Sequence, residues 1–230
     1  MTRAPWFSRV LPFAIYMAFI LLHDLLARFL PADSVLSRHL IVATYPLRIV
    51  AVMAALWWFR KDYVELRWEK GGGPVPRPLL EAVGFGILVF VLWIHMDWGW
   101  ATMGGGATPY DPRILPAAGY WAFVAVRLFG ASMVVPIFEE LFWRSFILRY
   151  IINPDFEKVP IGAFAWPSFL ISAALFGAEH HLWLAGIAAG LLYNLLLYRT
   201  RHIFYPVLAH GITNFCLGIY VLLTGNWQFW

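Results

Sequence analysis

Apolar residues run in long stretches near 11–30, 40–59, 78–96, 117–148, 165–182, 184–198 and 203–223, separated by short segments richer in Gly, Pro, Arg and Lys. A helix needs about 20 mainly apolar residues to cross the hydrocarbon core of a bilayer, and most of these stretches are of that order. The pattern predicts about seven transmembrane helices, and so an all-α, polytopic membrane helix bundle. Arg3 and Arg9 precede the first stretch as in a signal peptide, but the stretch is long and no small-residue cleavage pattern follows it. It reads as a membrane anchor that stays.

Composition strengthens this reading. The chain is 61% hydrophobic and 13% charged, against about 45–50% apolar and about 25% charged in soluble domains. Its mean hydropathy is +0.68. Its 230 residues leave room for the helices and short loops, and none for a second soluble domain of ordinary size. A single membrane-embedded domain over 1–230 is expected. The net charge is +4, yet no run of five or six basic residues occurs, which argues against a nucleic-acid partner. Placement in loops accounts for the excess. With the N-terminus inside, the inner segments hold Arg3, Arg9, Arg60, Lys61, Arg67, Lys70, Arg77, Arg149, Lys158, Arg199 and Arg201, and the outer ones only Arg28, Arg38 and Arg113. This asymmetry assigns the N-terminus to the cytoplasm. The inner loop 60–78 reads as a solvated connector, and the outer loop 99–116 as turn chemistry. Cys216, the sole cysteine, can form no internal disulfide and reads as a small buried hydrophobe. GIAAG at 186–190 presents a small-residue face suited to close helix packing.

The polar residues left inside the apolar stretches carry the chemistry. A charge in the hydrocarbon region costs from about 2.5 kcal/mol upward, so such groups face the bundle interior and pair. In PIFEELFWRSFILRY (136–150), Arg144 lies four residues beyond Glu140, the spacing of an ion pair on one helix face. Glu139 lies about 100° around the helix from Glu140, which leaves it available. In FGAEHHLW (176–183), Phe176 and His180 share a helix face, while Glu179 and His181 point elsewhere. In HGITNF (210–215), His210 and Asn214 repeat the spacing of four. At about 1.5 Å per residue from the inner ends of their helices, Glu139 lies on the order of 15 Å deep, His180 about 20 Å and His210 about 10 Å. The three can meet in the inner half to middle of the membrane. Asn194 reads as an interhelical hydrogen-bonding group, and Arg48, Arg127, Glu81 and Asp24 as interhelical ion-pair partners or snorkelling residues.

These motifs, Glu139-Glu140-x-x-x-Arg144, Phe176-x-x-x-His180 and His210-x-x-x-Asn214 in this order on separate helices, resemble the CAAX-protease and bacteriocin-processing family of intramembrane proteases, which includes the type II CAAX prenyl endopeptidases. The resemblance covers about 117–223, which would be the catalytic half. It implies that Glu139 and His180 polarise a water, that His210 and Asn214 donate hydrogen bonds to the oxyanion, and that Glu140 and Arg144 orient Glu139. That division suits peptide-bond hydrolysis, which needs an activated water, a proton for the leaving amine and a stabilised oxyanion. No cofactor is favoured. If a divalent metal such as Zn²⁺ takes part, Glu139, His180 and His210 are the candidate ligands; the HExxH pattern is absent.

The resemblance further implies an integral protein of the cytoplasmic membrane of a prokaryote. Its partners would be membrane lipid and a peptide or lipidated-protein substrate, such as a CAAX-like or prenylated C-terminus or a leader peptide. Two other readings remain. One is a rhomboid-like serine protease using Ser132 with His180 or His210 as base, although Met133 stands where a glycine is usual after that serine. The other is a non-catalytic membrane scaffold or transporter.

Overall fold

The structure, a computed structural model, describes residues 4–31, 34–68, 72–103, 113 and 115–229. Most of the outer loop 99–116, together with Arg3 and Lys70 from the charge comparison, lies outside the described residues. Seven helical rods fill the described chain: α1 (Phe7–Phe29), α2 (Val35–Trp58), α3 (Pro76–His95), α4 (Ala117–Tyr150), α5 (Trp166–Ala178), α6 (Trp183–Thr200) and α7 (Phe204–Thr224). No strand occurs among the described residues. The protein is a polytopic membrane helical bundle.

The rods match the expected number, but not all of them span. Five, α1, α2, α3, α4 and α7, are long and apolar enough to cross a membrane. α5 has 13 residues, about 20 Å at 1.5 Å per residue, short of a hydrocarbon core of about 30 Å. The helix expected over 165–182 therefore stops at Ala178, inside the bundle. Irregular backbone at that depth persists only where protein buries it or a cavity receives it. Here the freed carbonyls are taken up locally: His180 donates its backbone N–H to Gly177 O (3.0 Å), and its Nδ1 lies 2.7 Å from Phe176 O.

Close packing of α5 on α6 sets the position of that turn. A Cβ on Gly186 would lie 2.8 Å from Gly177 Cα, and one on Gly190 would lie 2.9 Å from Ala173 Cα. The small-residue face of GIAAG is thus the α5–α6 contact, and any larger residue would push the helices apart. α3 packs against α6 and α7, and α1 pairs with α2. The middle of α4 meets α1 and α7.

At the end that the charge bias assigns to the cytoplasm, the connectors knit together. Arg9 holds Glu65 through two bonds of 3.0 Å, Ser145 of α4 donates to the same carboxylate, and Tyr63 Oη donates to Ser8 O (3.0 Å). Burial alone would raise the Glu65 pKa, but the Arg9 guanidinium and the Ser145 hydroxyl outweigh it and hold the carboxyl below its ordinary range. Trp68 stacks on His202 at 3.7 Å. Segment 60–78 is therefore partly a packed cap and not the solvated connector its mixed charges suggested. Charge counting sees composition, whereas the cap is made by single residues, Tyr63 and Glu65, turned inward.

Candidate active site

Two widened turns of π type, Gly130–Val134 and Leu141–Ile147, bracket the segment Val135–Glu140 of α4. Such turns shift the helix phase and recur at functional sites. Here they set Glu139 and Glu140 against α7, where a regular helix would have carried the following residues round to other faces. The Glu140–Arg144 pair has formed as its spacing indicated, at 3.0 Å, with both side chains sealed from solvent. Arg144 also donates to Asn194 Oδ1 (3.1 Å) and Gly190 O (3.3 Å), and its guanidinium lies 4.6 Å from the Phe176 ring centre. Asn194 in turn donates to Ser172 Oγ at 2.9 Å. It is an interhelical link, as expected.

The same oxygen of Glu140 that meets Arg144 also meets His210 Nδ1, at 2.9 Å. This contact was not foreseen. The sequence reading made Glu140 a support for Glu139, whereas its direct contact is to the histidine. The His210 ring stacks on Tyr193, with centroids 5.2 Å apart and planes 21° apart. With Nδ1 committed to Glu140, Nε2 faces Glu139, whose Oε2 lies 3.9 Å away. That oxygen of Glu139 is buried and has no hydrogen-bond partner. A buried, unbonded carboxylate oxygen is costly unless something else comes to it.

His180 stands in the α5–α6 turn and not on a helix, yet it keeps its contact with Phe176, the ring centroids 4.8 Å apart; Trp93 meets it edge-on at 5.2 Å. Because Nδ1 is turned to the Phe176 carbonyl, Nε2 is the nitrogen left for chemistry. Glu179 was expected to point away. With the helix ended, its carboxylate instead accepts from Trp143 Nε1 (3.0 Å) and joins Glu139 and His180, one donor atom of each lying within 4.8 Å of the others. No spacing rule could have found Glu179, since the helical period on which the rule rests stops one residue earlier. His181 does turn away, to the carbonyl of Met103.

Asn214 donates to Ala131 O (2.9 Å), a carbonyl in the first widened turn. One N–H of its amide remains for another acceptor. Glu139, His180, His210 and Asn214, from α4, the α5–α6 turn and α7, line one cavity of about 280 Å³. Ser132 does not share it. Its hydroxyl has no hydrogen-bond partner and borders a separate apolar groove between α4 and α7, so neither histidine is placed as its base.

Residues 121–216 match the family model described as type II CAAX prenyl endopeptidase Rce1-like. Over this stretch the chain is similar to the CAAX-protease family. No curated protein and no solved structure matches the chain. The matched stretch holds Glu139, Glu140, Arg144, His180, His210 and Asn214. The cavity also uses Tyr16, Tyr45, Arg48 and Trp93, which precede it, and Phe229, which follows it.

A divalent cation such as Zn²⁺ would take Glu139, Glu179 and His180 in preference to the sequence-derived trio. Among the described residues, the donor atoms of those three all lie within 4.8 Å of one another, and their acids and imidazole are of the right donor type, whereas Glu139, His180 and His210 form no such group. Zinc–ligand bonds of about 2 Å need donors closer than 4.8 Å, so the three would have to draw together.

Proposed function

We propose that this chain is an intramembrane endopeptidase in which Glu139 and His180 activate a water for attack on a peptide carbonyl. Support comes chiefly from the unbonded oxygen of Glu139, which faces His210 in a buried cavity that His180 and Asn214 also line. A water held between Glu139 and His180 Nε2 gives its proton to Glu139 as its oxygen bonds to the carbonyl carbon. The carbonyl π electrons move to the oxygen, and His210 Nε2–H and the Asn214 amide donate to that oxyanion. Glu140 stabilises the ring of His210 with both nitrogens protonated, as a buried carboxylate does for a catalytic imidazole. Collapse of the intermediate breaks the C–N bond, and Glu139 returns the proton to the leaving amine.

Should a divalent metal bind, Glu139, Glu179 and His180 would hold it, and it would supply polarisation of the water. The substrate class is a peptide segment that enters the membrane, such as a lipidated C-terminus or a leader peptide, and the setting is the inner membrane of a prokaryote with the N-terminus inside.

The test is Glu139→Gln in protein reconstituted into lipid nanodiscs, paired with a proteomic comparison of membranes carrying either form. Loss of a positioned general base is expected to lower cleavage by about 10²–10⁴-fold with unchanged thermal unfolding, and unprocessed termini should accumulate. Equal processing by both forms would favour a membrane scaffold. Chelation followed by zinc addition decides the metal question: activity lost and then restored assigns the ion, and activity retained assigns the metal-free route.

A further inference from the structure

The proposed hydrolysis relies on two imidazoles, and an imidazole reaches a substrate atom productively only when its ring plane is fixed. The contact of His210 Nδ1 with Glu140, at 2.9 Å, holds one edge of that ring but leaves it free to turn about the line of the bond. Tyr193 of α6 takes up this freedom by stacking on the face of the ring. The tyrosine is in turn held at its far end. Its hydroxyl donates to Thr213 Oγ1 at 2.7 Å, and the Thr213 hydroxyl donates to Gly86 O of α3 at 2.8 Å, with Ala209 O of its own helix the next acceptor at 3.1 Å. Tyr193 and Thr213 are both buried. A glycine is needed for α3 to come this close, since a Cβ on Gly86 would lie 2.6 Å from Ala209 O. A carbonyl keeps a second lone pair beside its helical bond, so Gly86 O can accept from Thr213 without breaking α3.

The other imidazole meets the same helix. His180 stands in a turn, where no regular helical backbone holds it, and Trp93 of α3 packs against it with the two ring planes 83° apart. Gly86 and Trp93 are two helical turns apart, which sets them on one face of α3 at a separation of about 10 Å. We infer that α3 aligns both imidazoles: Tyr193, tied to Gly86 through Thr213, positions His210, and Trp93 positions His180. This deepens the reading of the chain as a peptidase and rests on it. Both points on α3 precede the matched stretch 121–216, so a helix outside that stretch governs how well the chemistry inside it works. Displacing a reacting group by about 1 Å costs about 10²-fold in rate, and a shift of this order is what the two ring contacts prevent.

Two measurements test this. In the first, a peptide recovered from a degenerate library by Glu139-dependent cleavage is assayed with protein in nanodiscs. Tyr193→Phe keeps the stacked ring but frees it from Thr213, and should lower kcat about tenfold; Tyr193→Leu removes the ring and should lower it about 10²-fold. Thr213→Val should act like Tyr193→Phe, and Thr213→Ser, which keeps the hydroxyl, should restore the turnover of the wild type. KM should stay nearly unchanged in Tyr193→Phe and Thr213→Val, because the hydroxyls concerned are already bonded within the protein. Unchanged kcat in these two variants, or an equal fall in Thr213→Ser, overturns the alignment through Tyr193.

The second measurement needs no substrate. Protein carrying nitrogen-15 in its histidine rings is studied in lipid bilayers by solid-state NMR, with the lines of His180 and His210 assigned by His180→Asn and His210→Asn. A ring held in one orientation gives one narrow pair of nitrogen lines. Tyr193→Leu should broaden or split the pair of His210 and leave that of His180, and Trp93→Leu should do the reverse. Narrow, unshifted His210 lines in Tyr193→Leu, or both rings disturbed alike by either variant, overturn the inference. Glu139-dependent cleavage that is undiminished although the lines are disturbed overturns it too, and spares the peptidase. Absence of any Glu139-dependent cleavage sinks the peptidase, and the NMR lines then judge the alignment alone.

Discussion

Replacing Arg144 by Met keeps most of the stem volume and removes the charge that Glu140 was buried against. Glu140 is fully enclosed, and its Oε1 would retain His210 Nδ1 as its sole hydrogen-bond partner. Breaking a buried ion pair from one side costs about 3–5 kcal/mol, because the remaining charge is left uncompensated. The lost bonds to Asn194 Oδ1 and Gly190 O act on the same network and are not added separately. At about 2–4 °C per kcal/mol for a chain of this size, thermal unfolding in nanodiscs should fall by roughly 6–20 °C. The double variant Arg144→Met with Glu140→Gln removes both charges and should unfold at a higher temperature than the single one. Its cleavage activity should nevertheless stay low, since His210 has lost its anionic anchor. The pairing argument fails if the double variant is as unstable as the single one, or less stable. It fails also if Arg144→Met alone unfolds like wild type.

Two further outcomes follow from the geometry. Gly177→Ala would bring a Cβ to 2.4 Å from Ile187 Cγ1 and 2.6 Å from the backbone oxygen of Trp183, so α5 and α6 must separate; overpacking of this kind costs about 1–3 kcal/mol. Because Glu179 and His180 follow directly, cleavage by protein that is still folded should drop about tenfold or more, and undiminished cleavage would show that the turn does not depend on this contact. Glu65 tests the cap: its folded-state pKa lies below the unfolded value near 4.3, so the stabilisation is complete above that pH and drains away as the pH falls through the folded-state value. Glu65→Gln should therefore flatten the acid side of the stability–pH curve, and a curve unchanged in acid would mean that Arg9 and Ser145 do not hold the carboxylate.

Much of this protein could be read from the order of its residues. Long apolar runs show a membrane medium and a helical backbone, because a bilayer leaves few other ways to satisfy N–H and C=O groups. Glu139, Glu140, Arg144, His180, His210 and Asn214 stood out because each is expensive in that medium, and the spacing of four already paired Glu140 with Arg144. Hydropathy and helical period are properties of a chain segment and its neighbours, and they end where the helix does. The stop of α5 at Ala178, which brings Glu179 and His180 together, depends on how closely Gly177, Gly186 and Gly190 let two helices approach. The contact of Glu140 with His210 joins residues 70 positions apart, and the widened turns of α4 set its register. Arg48 looked like one ion-pair partner among several until α2 placed it in the wall of the cavity. Such contacts follow from the crossing of helices distant in sequence, which only the folded chain establishes.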